Sequence, residues 1–268
     1  MLKILKLKFS PILKLLRRKE YYRYLFFLGK YFNYPRLRVK IVKFLNFKIY
    51  AVDCLSFVFQ YKEIFLLETY KFNCKKQDPL ILDCGANIGI SCIYFKYLYP
   101  ESRIKAFEAD SQIADILKKN LLINGFQDIE VFNKAIWINN QGVEFSSDGA
   151  DGGSILNGSN KNLVPSIRLK DIIDQENEID LLKIDIEGAE TDVLTDCDVS
   201  LSKVNRIFVE YHSWSNSIQH LGKLLELLTR NNFRYYIENV NSINSPLEKL
   251  NKISDYNQQL NIYATKLI

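Results

Sequence analysis

Histidine and cysteine are scarce in this 268-residue chain, and their spacing excludes several common sites. The two histidines, His212 and His220, are too few for a three-histidine zinc centre. The five cysteines include no Cys-x-x-Cys pair and are odd in number, which argues against a zinc finger or a disulfide scaffold. Scattered single cysteines are typical of reduced thiols, so we expect a protein of a reducing, cytoplasmic compartment.

Long apolar runs are also missing. No stretch of about 18 apolar residues occurs, so we expect no transmembrane helix. Lys3, Lys6 and Lys8 interrupt the apolar residues at the N-terminus, so we expect no secretory signal. The 47% of hydrophobic residues exclude a disordered chain and predict a packed core.

Acidic residues are nearly absent from the first 48 positions. That segment has 14 Lys and Arg and one acid, Glu20, which is 14 − 1 = +13. The remaining residues have 36 − 14 = 22 bases and 31 − 1 = 30 acids, which is −8. A basic N-terminal arm therefore precedes an acidic body. The body would repel a phosphate backbone, so we expect no nucleic-acid partner.

The N-terminal region is helical and aromatic as well as basic, with apolar residues from Ile12 to Leu16 and aromatic ones from Tyr21 to Tyr34. Two interpretations stay open. Residues 1–34 could contact a membrane surface peripherally, or they could form a helical cover packed on the body with solvated lysines. We assign residues 1–72 to this N-terminal region and its connector, and residues 73–268 to the main domain.

Strand and helix patterns alternate through the main domain and predict an α/β fold. The pattern favours a seven-stranded, mostly parallel sheet with helices on both faces. A polar, glycine-rich loop over residues 139–162 interrupts it and is expected to cover the substrate. The predicted strands are Phe47–Val52, Leu80–Leu82, Arg103–Phe107, Ile129–Phe132, Asp180–Asp185, Val204–Tyr211, Phe233–Ile237 and Ile262–Lys266. The predicted helices are Phe57–Tyr70, Ile88–Tyr99, Ser111–Asn124, Gly188–Thr195 and Ile218–Arg230.

A glycine-rich turn, Asp83 to Gly89, follows a buried strand and opens a helix. Gly85 would allow a tight turn and the approach of a ligand, and Gly89 would allow close helix–strand packing. The spacing is neither Gly-x-Gly-x-x-Gly nor a Walker loop, which excludes the usual dinucleotide and phosphate cradles. Glu108, at the end of the next strand, could bind both hydroxyls of a ribose. The glycine-rich turn and Glu108 together predict that the chain binds S-adenosylmethionine. The alternative is an ordinary tight turn, with Glu108 only capping a helix.

The sequence resembles the FkbM family of class I methyltransferases over about residues 80–240. Three blocks carry the resemblance: Leu82–Gly89 with Phe107-Glu108, Asn120–Ala135, and the Lys-x-Asp-x-Glu-Gly-x-Glu signature Lys183–Glu190 followed by Val209–His212. Cys84 and Ala109 depart mildly from the family pattern.

The resemblance implies a Rossmann-like class I methyltransferase fold and an enzyme that transfers a methyl group from S-adenosylmethionine to an oxygen. The acceptor would be a small molecule or glycan, commonly a sugar or polyketide hydroxyl. Asp83, Gly85, Asn87 and Glu108 would line the methionine and ribose parts, and Ala135 would lie near the adenine. The cofactor-binding residues predicted in full are Asp83, Gly85, Ala86, Asn87, Gly89, Glu108, Ala135 and Asp185.

Candidate catalytic residues follow the fourth and fifth main-domain strands. Lys183, Asp185 and Glu187 alternate and could face one side of the sheet edge, and His212 could act as a general base. Alternatively, Lys183 and Glu187 form a structural ion pair, and Glu187 caps the next helix. Asp185, Glu210 and His212 could together hold a divalent ion, but no tight ligand spacing supports this, so we predict no metal site.

Two other functions compete with O-methylation. The basic arm would suit an RNA methyltransferase, but the six prolines are never adjacent, so the Pro-Pro-aromatic motif common in amino-methylating nucleic-acid enzymes is missing. A non-catalytic, membrane-associated S-adenosylmethionine-binding module is the second competitor, and the complete third block argues against it.

Overall fold

The computed structural model describes residues 14–146, 161–214, 218–240, 244–249 and 258–267. Its centre is a seven-stranded sheet whose strand order is β12-β13-β11-β10-β3-β4-β5. In chain order these strands are β3 (Leu80–Cys84), β4 (Arg103–Phe107), β5 (Glu130–Phe132), β10 (Leu181–Ile184), β11 (Arg206–Ser213), β12 (Phe233–Asn239) and β13 (Gln258–Lys266).

Only β13 runs against the other strands of this sheet, because it pairs antiparallel with β11 and with β12. The pairs that β3 makes with β4 and β10, and the pairs β4–β5 and β10–β11, are parallel. The predicted seven-stranded, mostly parallel sheet is therefore confirmed. Strands β3 and β10 are buried along their whole length, as expected of central strands covered on both faces.

Helices cover both faces of the sheet, as predicted. Successive side chains of a strand point to opposite faces, so Leu82 and Ile184 belong to one apolar cluster and Ile81 and Leu181 to the other. The main-domain helices are α3 (Ile90–Leu98), α4 (Ser111–Ile123), α5 (Leu169–Gln175), α6 (Glu190–Asp196), α7 (Leu221–Arg230) and α8 (Pro246–Lys249). No described helix is both long and apolar enough to cross a membrane.

The chain order of the strands reverses between β3 and β10. From β3 the chain moves outward through β4 and β5, and it then returns to β10 and moves outward on the other side. Ligands of open α/β sheets bind at such a reversal, beyond the carboxyl ends of the strands. The segments after Cys84 and Ile184 therefore meet where the fold places a ligand.

The N-terminal region shares its core with the main domain. Phe27 and Tyr31 of α1 (Lys19–Tyr31) pack in one apolar cluster with Ile93 and Ile104. Strands β1 (Lys40–Phe44) and β2 (Phe47–Ala51) form an antiparallel hairpin, and α2 (Cys54–Tyr61) follows. This packing supports the helical-cover interpretation for residues 19–31, whereas residues 1–13 of the arm lie outside the described part. The domain boundary after residue 72 stays a prediction.

Two predicted segments differ from the structure. The single helix expected over residues 57–70 is instead α2 followed by a π-helical turn, Lys62–Leu66, and Glu68 then adopts a positive φ of 58° that ends the helical path. The loop expected over residues 139–162 contains the hairpin β7 (Val143–Ser146) and β8 (Lys161–Val164). Residues 147–160 between them, where the substrate cover was predicted, lie outside the described residues. Short β6 (Ala135–Trp137) and β9 (Ser166–Arg168) form a parallel pair.

Candidate active site

The turn after β3 touches the segment after β10 at the place where the strand order reverses. Gly85 has a φ of +80°, and a Cβ atom built on it would lie 1.8 Å from the backbone oxygen of Asp185. Only glycine fits this approach. The tight turn predicted at Gly85 is confirmed, and the chain's own backbone requires glycine there, whereas the approach of a ligand stays a prediction.

Backbone hydrogen bonds tie this turn to the end of β4. The Gly85 and Ala86 N–H groups both donate to the carbonyl oxygen of Phe107. The next residue, Asn87, has a φ of +49°, and its N–H donates to Oε2 of Glu108 at 2.9 Å. The Ala86 side chain is buried in the core, so any contact of Ala86 with a cofactor would be made by its backbone.

Gly89 packs against a helix rather than against a strand. A Cβ atom on Gly89 would lie 2.5 Å from Cδ1 of Leu117, which belongs to α4. Gly89 also has a positive φ of 89° as the residue before α3. Position 89 therefore requires glycine because α4 approaches it closely. The prediction that Gly89 lets a helix pack closely on a strand is wrong, since the neighbouring element is a helix.

Glu108 is buried at the carboxyl end of β4, beside the glycine-rich turn. Its two carboxylate oxygens accept the N–H groups of Asn87 and Asp110, both at 2.9 Å. Burial raises the pKa of Glu108 to about 7, although these two hydrogen bonds act in the opposite direction. Each oxygen keeps further lone-pair capacity, so the carboxylate could accept ribose hydroxyls. Helix α4 is capped by the side chain of Asp110, which leaves Glu108 available for a ligand.

Asn133 and Ala135 follow strand β5, next to the carboxyl end of β4 that carries Glu108. Asn133 donates from Nδ2 to the backbone oxygens of Glu108 (2.9 Å) and Ala109 (3.2 Å). Sequence reasoning missed Asn133, although a polar residue directly after a parallel strand is a recognisable signal. Ala135 begins β6 and is buried, and its predicted place near an adenine stays a prediction.

Asp83 and Lys183 form a buried ion pair beneath the turn. Lys183 Nζ lies 3.2 Å from Oδ1 of Asp83 and 3.6 Å from Oδ2 of Asp185, and it donates to the backbone oxygen of Gly85 at 2.6 Å. Burial alone lowers the pKa of Lys183, but the charges of Asp83 and Asp185 outweigh this and raise it. Lys183 therefore carries a charge that supports the turn. The alternative ion pair between Lys183 and Glu187 does not form.

The fully buried Asp83 does not open onto the site. Its Oδ2 accepts a hydrogen bond from Oγ of Ser91 at 2.6 Å, and its other oxygen faces Lys183. The resemblance implied that Asp83 would line the cofactor, and Lys183 was a catalytic candidate. In the structure both side chains lie under the site and hold the backbone that surrounds it.

The acidic residues after β10 do not share a strand face. Strand β10 ends at Ile184, and Glu187 has a φ of +56°, so the chain turns before helix α6 begins at Glu190. The turn nevertheless brings Asp185 and Glu187 together with His212 of β11, with one potential ligand atom of each residue within 4.8 Å of the others. Three of the four catalytic candidates, Asp185, Glu187 and His212, therefore lie together, but through a turn and not through the strand alternation that was predicted for Lys183, Asp185 and Glu187.

Carboxylates surround His212. Its Nδ1 lies 3.2 Å from Oε1 of Glu190, and its Nε2 lies 3.5 Å from Oε2 of Glu187 and 3.8 Å from Oε1 of Glu210. Burial lowers the pKa of His212, but the hydrogen bond to Glu190 and the nearby charges of Glu190, Glu187 and Asp185 outweigh it and raise the pKa to about 10. The carboxylates therefore favour the protonated imidazole, which is not the form of a general base, and the assignment of His212 as the base stays a prediction.

Sequence reasoning missed the role of Glu190. Its side chain is fully buried, and its Oε1 accepts the N–H groups of Ile186 (3.3 Å) and Gly188 (2.9 Å) while facing His212. One carboxylate thus orients both the turn after β10 and the imidazole of β11. Glu190 is the last residue of the Lys-x-Asp-x-Glu-Gly-x-Glu signature. That position could have marked it as a site residue, but the sequence analysis gave it no role.

The chain is similar to known methyltransferases. Residues 83–235 match the methyltransferase FkbM domain. Over 75 residues the chain is 40% identical to methyltransferase sdnD of Sordaria araneosa, covering 28% of this chain and 29% of that protein. It is 29% identical to 2-O-methyltransferase NoeI of Sinorhizobium fredii, covering 51% of this chain and 65% of that protein. Both matches span less than two thirds of the relative's length.

Among solved structures, methyltransferase FkbM from Methylobacillus flagellatus has a TM-score of 0.47 with this chain at 18% identity, over 72% of this chain and 45% of that one. The matched FkbM domain itself extends over more than half of the present sequence. It includes the glycine-rich turn, Glu108, the acidic turn after β10 and His212. The chain belongs to the FkbM family of methyltransferases.

Proposed function

We propose that this methyltransferase uses S-adenosylmethionine to methylate a hydroxyl group of a sugar in a glycan, glycolipid or secondary metabolite. The observation that carries the proposal is the position of Glu108, whose buried carboxylate lies beside the Gly85 turn where the strand order reverses. The polar cluster of Asp185, Glu187 and His212 follows β10 and β11 at the same edge. The similarity to a 2-O-methyltransferase supports oxygen as the methylated atom.

The residues around the turn fit the proposed cofactor. Both oxygens of Glu108 are already oriented by backbone N–H groups and could accept the two ribose hydroxyls. The partly exposed carboxylate of Asp185 could hold the ammonium group of the methionine part. S-adenosylmethionine supplies an activated methyl group on a sulfonium, so the protein mainly has to position the acceptor oxygen against it.

Glu187 is the group that we assign to the acceptor hydroxyl. Its side chain is one-fifth exposed, and its Oε2 lies 3.5 Å from Nε2 of His212. The cofactor would supply the methyl group, whose bond to sulfur would break as its bond to the acceptor oxygen forms, and the hydroxyl proton would pass to a carboxylate of the cluster or to water. Removal of the Glu187 carboxylate should therefore slow transfer more than it weakens cofactor binding.

The proposed activity is tested by methyl transfer from labelled S-adenosylmethionine to a glycan extract and, separately, to total RNA. We expect label in the glycan fraction and a loss of about 10²-fold or more in Glu187→Gln, because general acid–base groups contribute on that scale. The exposed Asp192 of α6 provides the matched control Asp192→Asn, which removes the same charge outside the site. Label in RNA and not in glycans would refute the proposal.

We also propose that the acceptor is reached at an anionic membrane surface. Helix α1 has two apolar faces: Phe27 and Tyr31 pack inward, whereas Tyr22 and Phe26 are exposed together with Leu25. These three residues lie on one side of the helix because they are three and four positions apart. Phe32, just after the helix, is also 65% exposed. An outward aromatic face of this kind is typical of an interfacial helix.

Charge favours an anionic surface as the partner of this outward face of α1. Lys19 and Lys30 are exposed on the same helix, and Nζ of Lys30 lies 5.5 Å from the centre of the Phe26 ring. The first 48 residues carry +13. Each base close to an anionic surface contributes about 1 kcal/mol of attraction, which adds to the burial of the aromatic rings.

Vesicle flotation tests this contact. The wild-type chain is expected to float with vesicles that contain anionic phospholipid and to remain below with vesicles of phosphatidylcholine alone. The double variant Phe26→Gln with Phe32→Gln should float several-fold less. The matched control, Leu122→Gln with Val199→Gln, removes two other exposed apolar side chains and should float like wild type. Equal loss in both double variants, or flotation independent of lipid charge, would disprove the assigned surface.

A further inference from the structure

We infer that Asp185, Glu187 and His212 bind one divalent cation of the Mg²⁺ or Mn²⁺ type at the edge of the proposed acceptor site. The role given below to this ion rests on the proposed O-methyltransferase function, whereas its binding can be measured without any substrate. The sequence alone predicted no metal, because the spacing of these residues along the chain does not suggest one. The fold supplies the proximity that the spacing lacks.

The geometry of the three donor atoms suits a single ion. Two carboxylate oxygens and one imidazole nitrogen lie within 4.8 Å of one another. Ligand atoms on opposite sides of an ion that binds each at about 2.2 Å are separated by about 4.4 Å, so side-chain shifts of a few tenths of an ångström would suffice. Two oxygens and a nitrogen form a donor set that hard and borderline divalent cations accept.

Glu190 provides a second and independent indication. Metal-binding histidines usually direct one ring nitrogen at a carboxylate, which orients the other nitrogen toward the metal. In this chain Nδ1 of His212 faces the fully buried Glu190 at 3.2 Å, and Nε2 is turned toward Glu187. Oε2 of Glu190 is buried without a hydrogen-bond partner. The same carboxylate also holds the N–H groups of the turn that carries Asp185 and Glu187, so it positions all three ligands.

The charge balance at this edge also favours a cation. Four carboxylates surround the imidazole: Asp185, Glu187, Glu190 and Glu210. Lys183, which approaches Asp185, is committed to the buried Asp83 and to the carbonyl of Gly85. A divalent ion that displaces the imidazole proton would bring two positive charges to the four carboxylates where the proton brings one.

Such an ion would give the acceptor site a preference for paired hydroxyls. Three protein ligands leave about three positions of an octahedral ion for water or substrate. Two neighbouring hydroxyls of a sugar could occupy two of these positions. Binding would lower the pKa of the reacting hydroxyl, so that its proton leaves to water and its oxygen attacks the methyl group. The expected acceptor is therefore a vicinal diol, of which one oxygen is methylated.

Titration with Mn²⁺, followed by the loss of the free-ion electron paramagnetic resonance signal, tests the site on the full chain without cofactor or acceptor. We expect one bound Mn²⁺ per chain, with affinity lowered at least 10-fold in Asp185→Asn and in His212→Gln. Glu190→Gln, which retains the three ligands and removes their positioning group, should lower it 10-fold to 100-fold. Asp192→Asn should bind like wild type. Circular dichroism tests whether each variant is folded. If one of the other ligand variants is not folded, Glu187→Gln replaces it as the test of ligand loss.

The outcomes separate this inference from the proposed function. No bound Mn²⁺ at millimolar concentration, or equal binding in wild type, Asp185→Asn and Glu187→Gln, would overturn the metal site and leave O-methylation open. Methyl transfer that is unchanged by a chelator at concentrations that remove the bound Mn²⁺ would overturn the role of the ion in the reaction. Stoichiometric Mn²⁺ binding in a chain that transfers no methyl group to glycans would instead refute the proposed function.

Discussion

Glu108→Ala is expected to weaken S-adenosylmethionine binding by about 100-fold or more. The carboxylate would accept two ribose hydroxyls, and each hydrogen bond to a charged group contributes about 1.5 kcal/mol or more. Two such bonds give about 3 kcal/mol, which is about two decades in the dissociation constant. Titration calorimetry with S-adenosylmethionine on wild type and variant measures the change directly.

Two further variants separate binding from folding at this position. Alanine also leaves the N–H groups of Asn87 and Asp110 without their acceptor, so Glu108→Gln, which keeps one carbonyl oxygen, is the gentler change. It leaves only one of the two N–H groups without an acceptor, so it should lose less stability than alanine and still bind at least 10-fold more weakly. Asp115→Asn removes an exposed carboxylate from α4 and should change neither property. An unchanged affinity in folded Glu108→Gln would remove the cofactor assignment.

The pH dependence of binding provides an independent test of the same group. Burial raises the pKa of Glu108 to about 7, and only the ionised carboxylate can accept from both hydroxyls with all its lone pairs. Wild-type affinity should therefore be constant well above pH 7 and fall as the pH drops through 7, by up to 10-fold per pH unit. Glu108→Gln should lack this dependence. A wild-type affinity that rises as the pH falls would contradict the assignment.

The sheet could be predicted from the sequence because strand and helix patterns alternate along the main domain, beginning with the apolar run Leu80–Leu82 between turn residues. Leu80–Leu82 and Arg103–Phe107 were placed to within two residues. The hairpin β1–β2 was only half predicted, since β2 has one charged residue, Lys48, whereas β1 has two, Lys40 and Lys43, among its five residues. Such a strand has a weak local signal and owes its structure to its partner.

The site was harder to predict than the fold, because its contacts join segments that are far apart in sequence. Lys183 pairs with Asp83, a hundred positions earlier, and not with Glu187, four positions later. His212 and Glu190 meet only because α6 returns the chain to the neighbouring strand. The family signature identified which residues matter. It could not distinguish the residues that hold the backbone beneath the site from those that face it.

Gly85→Ala should destabilise the fold severely. The added Cβ would lie 1.8 Å from the carbonyl oxygen of Asp185, which is backbone and cannot rotate away. Relief would require β3 and β10 to separate at the point where the Lys183 charge is buried. We expect a loss of about 4 kcal/mol or more in the free energy of unfolding, which is at the upper end for point variants. Urea denaturation measures it.

Gly125→Ala isolates the contribution of the clash. Gly125 has a φ of +79°, nearly the same as the +80° of Gly85, but no atom lies within 4 Å of the position that a Cβ would take. Its cost should therefore be the conformational strain alone, about 1 kcal/mol. The difference between the two losses in the free energy of unfolding is the free energy needed to move the backbone of Asp185 away from the turn. Equal losses would show that Gly85 is required only for its φ, and that the turns after β3 and β10 are less tightly joined than the structure places them.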